Sequence, residues 1–211
     1  MKKTTIALLL MVFGFSDVQG QSIKGFGFKA GGTRAKQIWT WDQVHDFQKK
    51  PRLGMAVGTF VELRAMPRFS ANLEAFYIQK GFEEQSVYAS KTTDGETTTY
   101  RPRVDYLSFL LLAKFALTED IEAYLLCGPR VDIEISRNDV AVYHQIYDNL
   151  QAIDVGGSIG FGVKSPEMHS MHVLLEMRYS PSARQIFNDK IMDENVTVKN
   201  QSLEFLMGFE F

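Results

Sequence analysis

The chain has 211 residues, a formal net charge of −2 and 23% charged residues. This length supports one domain, and the near-neutral balance argues against a nucleic-acid partner. Past the N-terminus no apolar run approaches the roughly 18 residues of a membrane-spanning helix. A membrane reading therefore requires strands closed into a barrel, the other structure that satisfies its backbone in lipid.

Lys2 and Lys3 precede an apolar stretch at 6–15, and Val18 and Gly20 sit three residues and one residue before a cut ahead of Gln21. This pattern predicts a secretory signal peptide over 1–20, leaving 21–211 as a single barrel domain. Cys127 is the only cysteine, so no internal disulfide and no cysteine-based zinc cluster is expected.

Period-two alternation then recurs along the chain. Residues 22–34 oppose Phe26, Phe28 and Ala30 to Gly25, Gly27, Lys29 and Gly31. Residues 35–52 read as a polar linking loop with Trp39, Trp41, His45, Lys49 and Lys50. Residues 53–64 set Leu53, Met55, Val57, Val61 and Leu63 against Glu62 and Arg64, and a short turn holds Pro67. Residues 69–81 set Leu73, Ala75 and Tyr77 against Asn72, Glu74 and Lys80, and 82–100 form a long loop tipped by Asp94-Gly95.

Residues 101–115 carry Leu107, Phe109 and Leu111 against Tyr106, Ser108 and Lys114, followed by a short turn at 116–120. Residues 121–135 oppose Leu125, Cys127, Val131 and Ile133 to Tyr124, Arg130, Asp132 and Glu134. A polar loop at 136–150 contains Tyr143, His144 and Tyr147. Residues 151–164 set Ile153, Val155, Ile159 and Phe161 against Asp154, Ser158 and Lys164, and a short turn holds Pro166. Residues 171–180 set Val173, Leu175, Met177 and Tyr179 against Glu176 and Arg178, and 181–200 form a long loop. The last strand, 201–211, opposes Leu203, Phe205, Met207, Phe209 and Phe211 to Ser202, Glu204 and Glu210.

Eight strands result, and the linkers alternate long and short. Outer-membrane barrels have this asymmetry, with short periplasmic turns and longer external loops. The strands also exceed the usual globular length, as tilted spanning strands of about 9–11 residues must. The expected fold is an all-β, eight-stranded antiparallel up-and-down transmembrane barrel.

Alternation alone does not say which parity faces inward, since a secreted lipocalin-type barrel alternates with its apolar face inside. Three features favour apolar-out. The polar parity is rich in glycine, which suits a crowded small-barrel interior. Its charges are nearly balanced in sign, as enclosed charges must be, because an unpaired buried charge is strongly destabilising. Aromatics such as Phe28, Phe69, Phe115, Phe209 and Phe211 fall on the apolar parity near strand ends, where an interfacial girdle belongs. Eight strands leave room only for side chains, so the expected interior is a plugged ion-pair network. Glu74, Lys114, Arg130, Asp132, Glu176 and Arg178 are its candidate members.

LEAFYIQKG (73–81), YLSFLLLAKF (106–115), YLLCGPRV (124–131), DVGGSIGFGVK (154–164), LLEMRYSPSARQI (174–186) and the closing NQSLEFLMGFEF (200–211) occur in this order. Together they resemble the Bacteroidetes-type outer-membrane β-barrel family, the PorT-like or porin-family proteins. Leu110 stands where that family often has Pro, and Ser182 where it often has Gly. The resemblance implies an outer-membrane location. It also implies assembly by the barrel-insertion machinery, read through a C-terminal strand ending in Phe209 and Phe211. It implies no single activity.

His45 and His144 fall in the expected external loops, and His169 and His172 at a periplasmic turn. No nucleophile, base and orienting group come together in the pattern. A non-enzymatic role with no cofactor or bound metal is expected. The partners expected are outer-membrane lipid and an external ligand of unknown identity, and the state expected is a monomer. Trp39, Trp41, Tyr143, His144 and Tyr147 are the candidate external-loop binding residues, since function concentrates on loops over a rigid scaffold. A second reading is a small channel or a transport or secretion-associated component. A third is an enzyme acting on lipid A.

Overall fold

The computed structural model describes residues 23–41, 49–88, 96–117, 122–138, 150–191 and 194–211. The signal-peptide segment 1–20 lies outside them. Ten strands form in chain order: β1 (Ile23–Trp41), β2 (Lys50–Met66), β3 (Phe69–Tyr88), β4 (Glu96–Tyr100), β5 (Arg103–Ala116), β6 (Glu122–Asn138), β7 (Ile153–Lys164), β8 (His172–Pro181), β9 (Phe187–Ile191) and β10 (Glu194–Glu210).

Eight of them make the wall, in the order β1-β2-β3-β5-β6-β7-β8-β10, and β10 pairs back onto β1. The closing seam runs from Gly27 opposite Glu210 to Trp41 opposite Val196 without interruption. Closure removes every unpaired edge from the wall, which a lipid environment demands. β4 and β9 are short additions, pairing with the distal ends of β3 and β10.

Apolar residues face out. Leu53 is 74% exposed and Ile159 60%, whereas Arg130 and Arg178 are 2% and 1% exposed. Side chains on alternate positions of a strand point to opposite faces, so one parity meets lipid and the other fills the lumen. Glycine on the inward parity makes room for larger neighbours. A Cβ on Gly162 would fall 2.5 Å from the Tyr124 ring, so this glycine is what lets the tyrosine lie across the lumen.

The outward face of β1 is apolar at Phe26, Phe28 and Ala30 and turns basic at Arg34 and Lys36. β10 changes at the same level, from Leu203 to Gln201 and Lys199, and Arg34 is the register partner of Leu203. This switch marks the external edge of the apolar band. Residues 35–41 of β1 continue beyond it, paired with 196–202 of β10.

That continuation departs from the sequence reading. Residues 35–52, 82–100 and 181–200 read as loops by composition, yet β1 reaches Trp41, β3 reaches Tyr88, and β4 and β9 lie within the other two stretches. Their polar composition reflects strands that have left the lipid and meet water on their outer face. Inside them lies the external part of the buried apolar cluster, with Trp39, Phe82, Val104, Ile186, Val196 and Val198; the cluster continues down the lumen through Tyr106, Leu112, Tyr124 and Leu126.

Candidate functional site

Below the external part of this cluster the lumen holds ion pairs in three levels, interleaved with its inner members such as Leu110, Leu126 and Leu206. At the periplasmic end Lys24 lies 2.8 Å from Glu62 and 3.5 Å from Glu122. Lys114 lies 2.9 Å from Glu62 and 2.8 Å from Glu122. Lys164 lies 3.2 Å from Glu122 and 3.1 Å from Glu210. Three cations and three carboxylates from six different strands thus form one closed set.

In the middle, the Lys29 ammonium sits 2.8 Å from both Glu74 and Glu176. Arg178 forks onto Glu74, donating at 2.5 and 2.9 Å, and donates from Nε to Glu176 at 2.8 Å. The Tyr124 hydroxyl donates to Glu176 at 2.7 Å. Bidentate guanidinium–carboxylate pairing of this kind gives both energy and fixed geometry.

Above that level Arg130 reaches Glu204 at 3.1 Å, Asp132 at 3.2 Å and the Ser180 carbonyl at 3.3 Å. Lys80 pairs with Asp132 and lies 3.9 Å from Asp154. Asp154 accepts from the Ser182 hydroxyl at 2.6 Å and from Asn200 at 3.1 Å. Ser182, where the resembled family often carries glycine, thus supplies an interior hydrogen bond. Asp132 and Asp154 are direct cross-strand partners, so three carboxylates here face two cations.

The structure places Glu74, Lys114, Arg130, Asp132, Glu176 and Arg178 in the lumen, all buried and all paired. They belong to three levels rather than one network. Lys24 and Glu122 complete the lowest level without having been singled out in the sequence. Lys24 is on the outward parity of β1, and a register shift between Ile23 and Gly25 brings it to the barrel mouth. Arg64, on the inward parity, is exposed at that mouth.

The aromatic candidates separate. Trp39 is not an exposed loop residue: it lies in β1, 2% exposed, edge-on to Phe82 at 5.7 Å. Its inward parity in a strand longer than the apolar band buries it. Lys49 stacks over both rings, each centroid 4.6 Å away, and pairs with Glu84. Burial outweighs Glu84 and lowers the Lys49 pKa from its ordinary value. Trp41 is the last residue of β1, opposite Val196. Tyr143, His144 and Tyr147, together with His45, lie outside the described residues.

Phe209 sits beside Phe28 with centroids 5.4 Å apart, and Phe211 beside Phe26 at 5.9 Å. The Phe26 and Phe211 backbones exchange hydrogen bonds of 3.2 and 2.8 Å. The two C-terminal aromatics therefore close the first strand onto the last on the lipid-facing side. His172 has Nδ1 2.9 Å from the Ser165 carbonyl in the tight turn before β8, where His169 and Ser170 take positive φ. Among the described residues no group of three or more His, Cys, Asp or Glu is placed to hold a metal ion. Among the described residues the lumen's chemistry is neutralisation of buried charge.

A closed, apolar-out, eight-stranded barrel with a polar lumen defines an outer-membrane β-barrel protein. The chain belongs to the outer membrane protein beta-barrel domain family, whose model matches residues 21–188. Among solved structures it is similar to OprG from Pseudomonas aeruginosa, with a TM-score of 0.51 and 11% identity over 92% of this chain and 99% of that one. It is also similar to Ail of Yersinia pestis in complex with the heparin analogue sucrose octasulfate (TM-score 0.41, 13% identity, 89% and 98% covered). A further similar structure is AlkL in DMPC lipid bilayers (TM-score 0.39, 12% identity, 92% and 94% covered). No curated protein matches the chain. The protein is located in the outer membrane.

Proposed function

We propose that this barrel is a non-conducting, non-enzymatic scaffold that presents its external extension to a partner outside the cell. The observation carrying this reading is the filled lumen. Among the described residues three stacked levels of ion pairs and an apolar cap occupy the barrel axis, while β1, β3 and β10 run past the apolar band as strands. A rigid stalk with its own apolar core positions the connecting segments above it, where binding residues are commonly carried. The sequence stretches 73–81 and 106–115 support placement in the Bacteroidetes-type, PorT-like branch of the family.

The test is electrical. Purified protein inserted in planar bilayers is expected to show no steady conductance. A stable nanosiemens-scale current would overturn the reading and favour a small transport channel.

A further inference from the structure

At the external edge of the apolar band, the outward face of the β1–β10 seam carries unmatched positive charge. Arg34, Lys36 and Lys199 are exposed there, and none has an acidic partner among the described residues. On the β3, β5 and β6 side the outward cations are matched. Arg101 lies 3.3 Å from Glu83, Arg103 lies 3.1 Å from Asp105, and Arg137 lies 2.5 Å from Glu134. The outward positions from 26 to 40 of β1, 53 to 63 of β2 and 199 to 209 of β10 hold no Asp or Glu. The seam therefore presents a positive patch that no described carboxylate neutralises.

Directly below the patch, Gly32 and Ala30 continue the outward row of β1. Their register partners are large: Phe205 and Met207 on β10, Met55 and Val57 on β2, all about half exposed. The two flanking rows stand two strand spacings apart, about 10 Å. A furrow therefore runs down β1 from Arg34 to Phe28, whose ring packs on Phe209. Its length is about 20 Å at roughly 3.3 Å per residue. A Cβ on Gly32 would meet nothing closer than the Gly54 carbonyl oxygen at 4.0 Å, so the floor is open on its lipid side. Lys36 is opposite Gln201 and Lys199 opposite Ile38. A strand tilt of roughly 35–45° places them about 5 and 10 Å above Arg34. Their flexible stems bring both ammonium groups to the headgroup layer.

We propose that this stretch of wall binds one phosphate-bearing anionic lipid of the outer leaflet. Its phosphate sits on Arg34, Lys36 and Lys199, and one acyl chain lies in the furrow over Gly32 and Ala30. Charge and position together select the occupant. Guanidinium and ammonium groups donate strongly to phosphate oxygens, and the cations begin at the level where the apolar band ends. A dissolved polyanion would meet the same charges but leave the furrow empty. A zwitterionic lipid would fill the furrow but bring its own cation to compete for the phosphate. The site uses only the outer wall, so it stands apart from the lumen and from whatever the extension presents above it.

Native mass spectrometry of the full chain tests the proposal, with release from detergent in a phosphorylated glucosamine-disaccharide lipid or its dephosphorylated form of identical acyl chains. One phosphorylated adduct is expected to survive collisional activation, with retention roughly tenfold or more above the dephosphorylated lipid, since each basic residue near a charged lipid surface contributes measurably. Arg34→Gln with Lys36→Gln and Lys199→Gln is expected to bring the two lipids to equal retention. Arg101→Gln with Arg103→Gln, on the matched side of the extension, is expected to keep the preference. Gly32→Phe, which fills the furrow from its lipid side, is expected to reduce both adducts. Excess deacylated headgroup is expected to leave the phosphorylated adduct in place. Each variant is first checked for a faster-running unboiled band, so that misfolding is not read as lost binding. Equal retention of both lipids by the native chain, or an undiminished preference in the triple Gln variant, would overturn the site. So would an equal fall in the Arg101 and Arg103 variant, which would mean that overall charge decides. Displacement by the deacylated headgroup, or unchanged adducts in Gly32→Phe, would overturn the furrow as the seat of an acyl chain and with it the lipid as occupant.

Discussion

Glu74 is buried among two cations, with Arg178 forked onto it and Lys29 at 2.8 Å. Removing its charge leaves Arg178 and Lys29 sharing Glu176 alone, and breaking a buried pair in this way costs about 3–5 kcal/mol. Glu74→Gln is accordingly expected to lower the denaturant midpoint for loss of the faster-running unboiled form by an amount of that order. The upper level behaves differently because it carries excess negative charge. Asp132 touches both Lys80 and Arg130, whereas Asp154 has Lys80 at 3.9 Å and otherwise neutral donors. Asp132→Asn should be strongly destabilising, while Asp154→Asn should shift the same midpoint much less, since it relieves repulsion with Asp132. Equal losses would show that the two carboxylates are equivalently paired. The inward parity of most of these groups was legible in the sequence, because period two sorts side chains into faces wherever the ladder is regular. It failed at Lys24, the extra residue where β1 shifts register between Ile23 and Gly25; the shift opposite Asp105–Tyr106 places its extra residue, Ile135, in β6. A bulge adds one residue and reverses the parity beyond it, and no residue type in these stretches announces it.

At the level of strands, the number in the wall and its up-and-down order followed from alternation and linker length, but the strand ends did not. Trp39 reads as loop because Thr40, Lys49 and Lys50 surround it, yet it is an inward residue of a strand that has passed beyond the lipid. Outside the membrane the outward parity turns polar, so alternation persists with a lower contrast and merges with loop composition. The opposite end is better marked, since Phe209 and Phe211 lie in the region of strongest contrast. They pack on Phe28 and Phe26 across the seam that closes the barrel. Each aromatic pair adds about 0.5–1.5 kcal/mol beyond its burial, and here that energy serves closure. Phe209→Ala with Phe211→Ala is therefore expected to reduce the fraction recovered as the faster-running unboiled form in outer membranes, whereas Phe69→Ala, remote from the seam, should reduce it less. Equal recovery of all three proteins would separate the terminal aromatics from closure and from any recognition during assembly.

Across the whole molecule the barriers to flow stand in series. An ion moving along the axis would meet the Lys24–Glu62–Lys114–Glu122 level, then Lys29–Glu74–Glu176–Arg178, then Arg130–Asp132–Lys80, and finally the apolar cluster around Trp39 and Phe82. Series barriers are set by the highest one, so removing a lower one changes little. Eight strands enclose space that side chains fill, and Arg130 and Arg178 are the bulkiest fully buried groups in the lumen. They draw on β6 and β8 of the wall, while the apolar cluster draws on the extension, so the two ends can be altered separately. Trp39→Ala combined with Phe82→Ala empties part of the external cap and strips both rings from Lys49, but leaves the three lumen levels of ion pairs untouched. Its expected phenotype in planar bilayers is silence, together with faster protease cleavage of the extension in intact cells. A steady current from that variant would mean that water already threads the ion-pair levels and that the apolar cap alone holds the barrel shut.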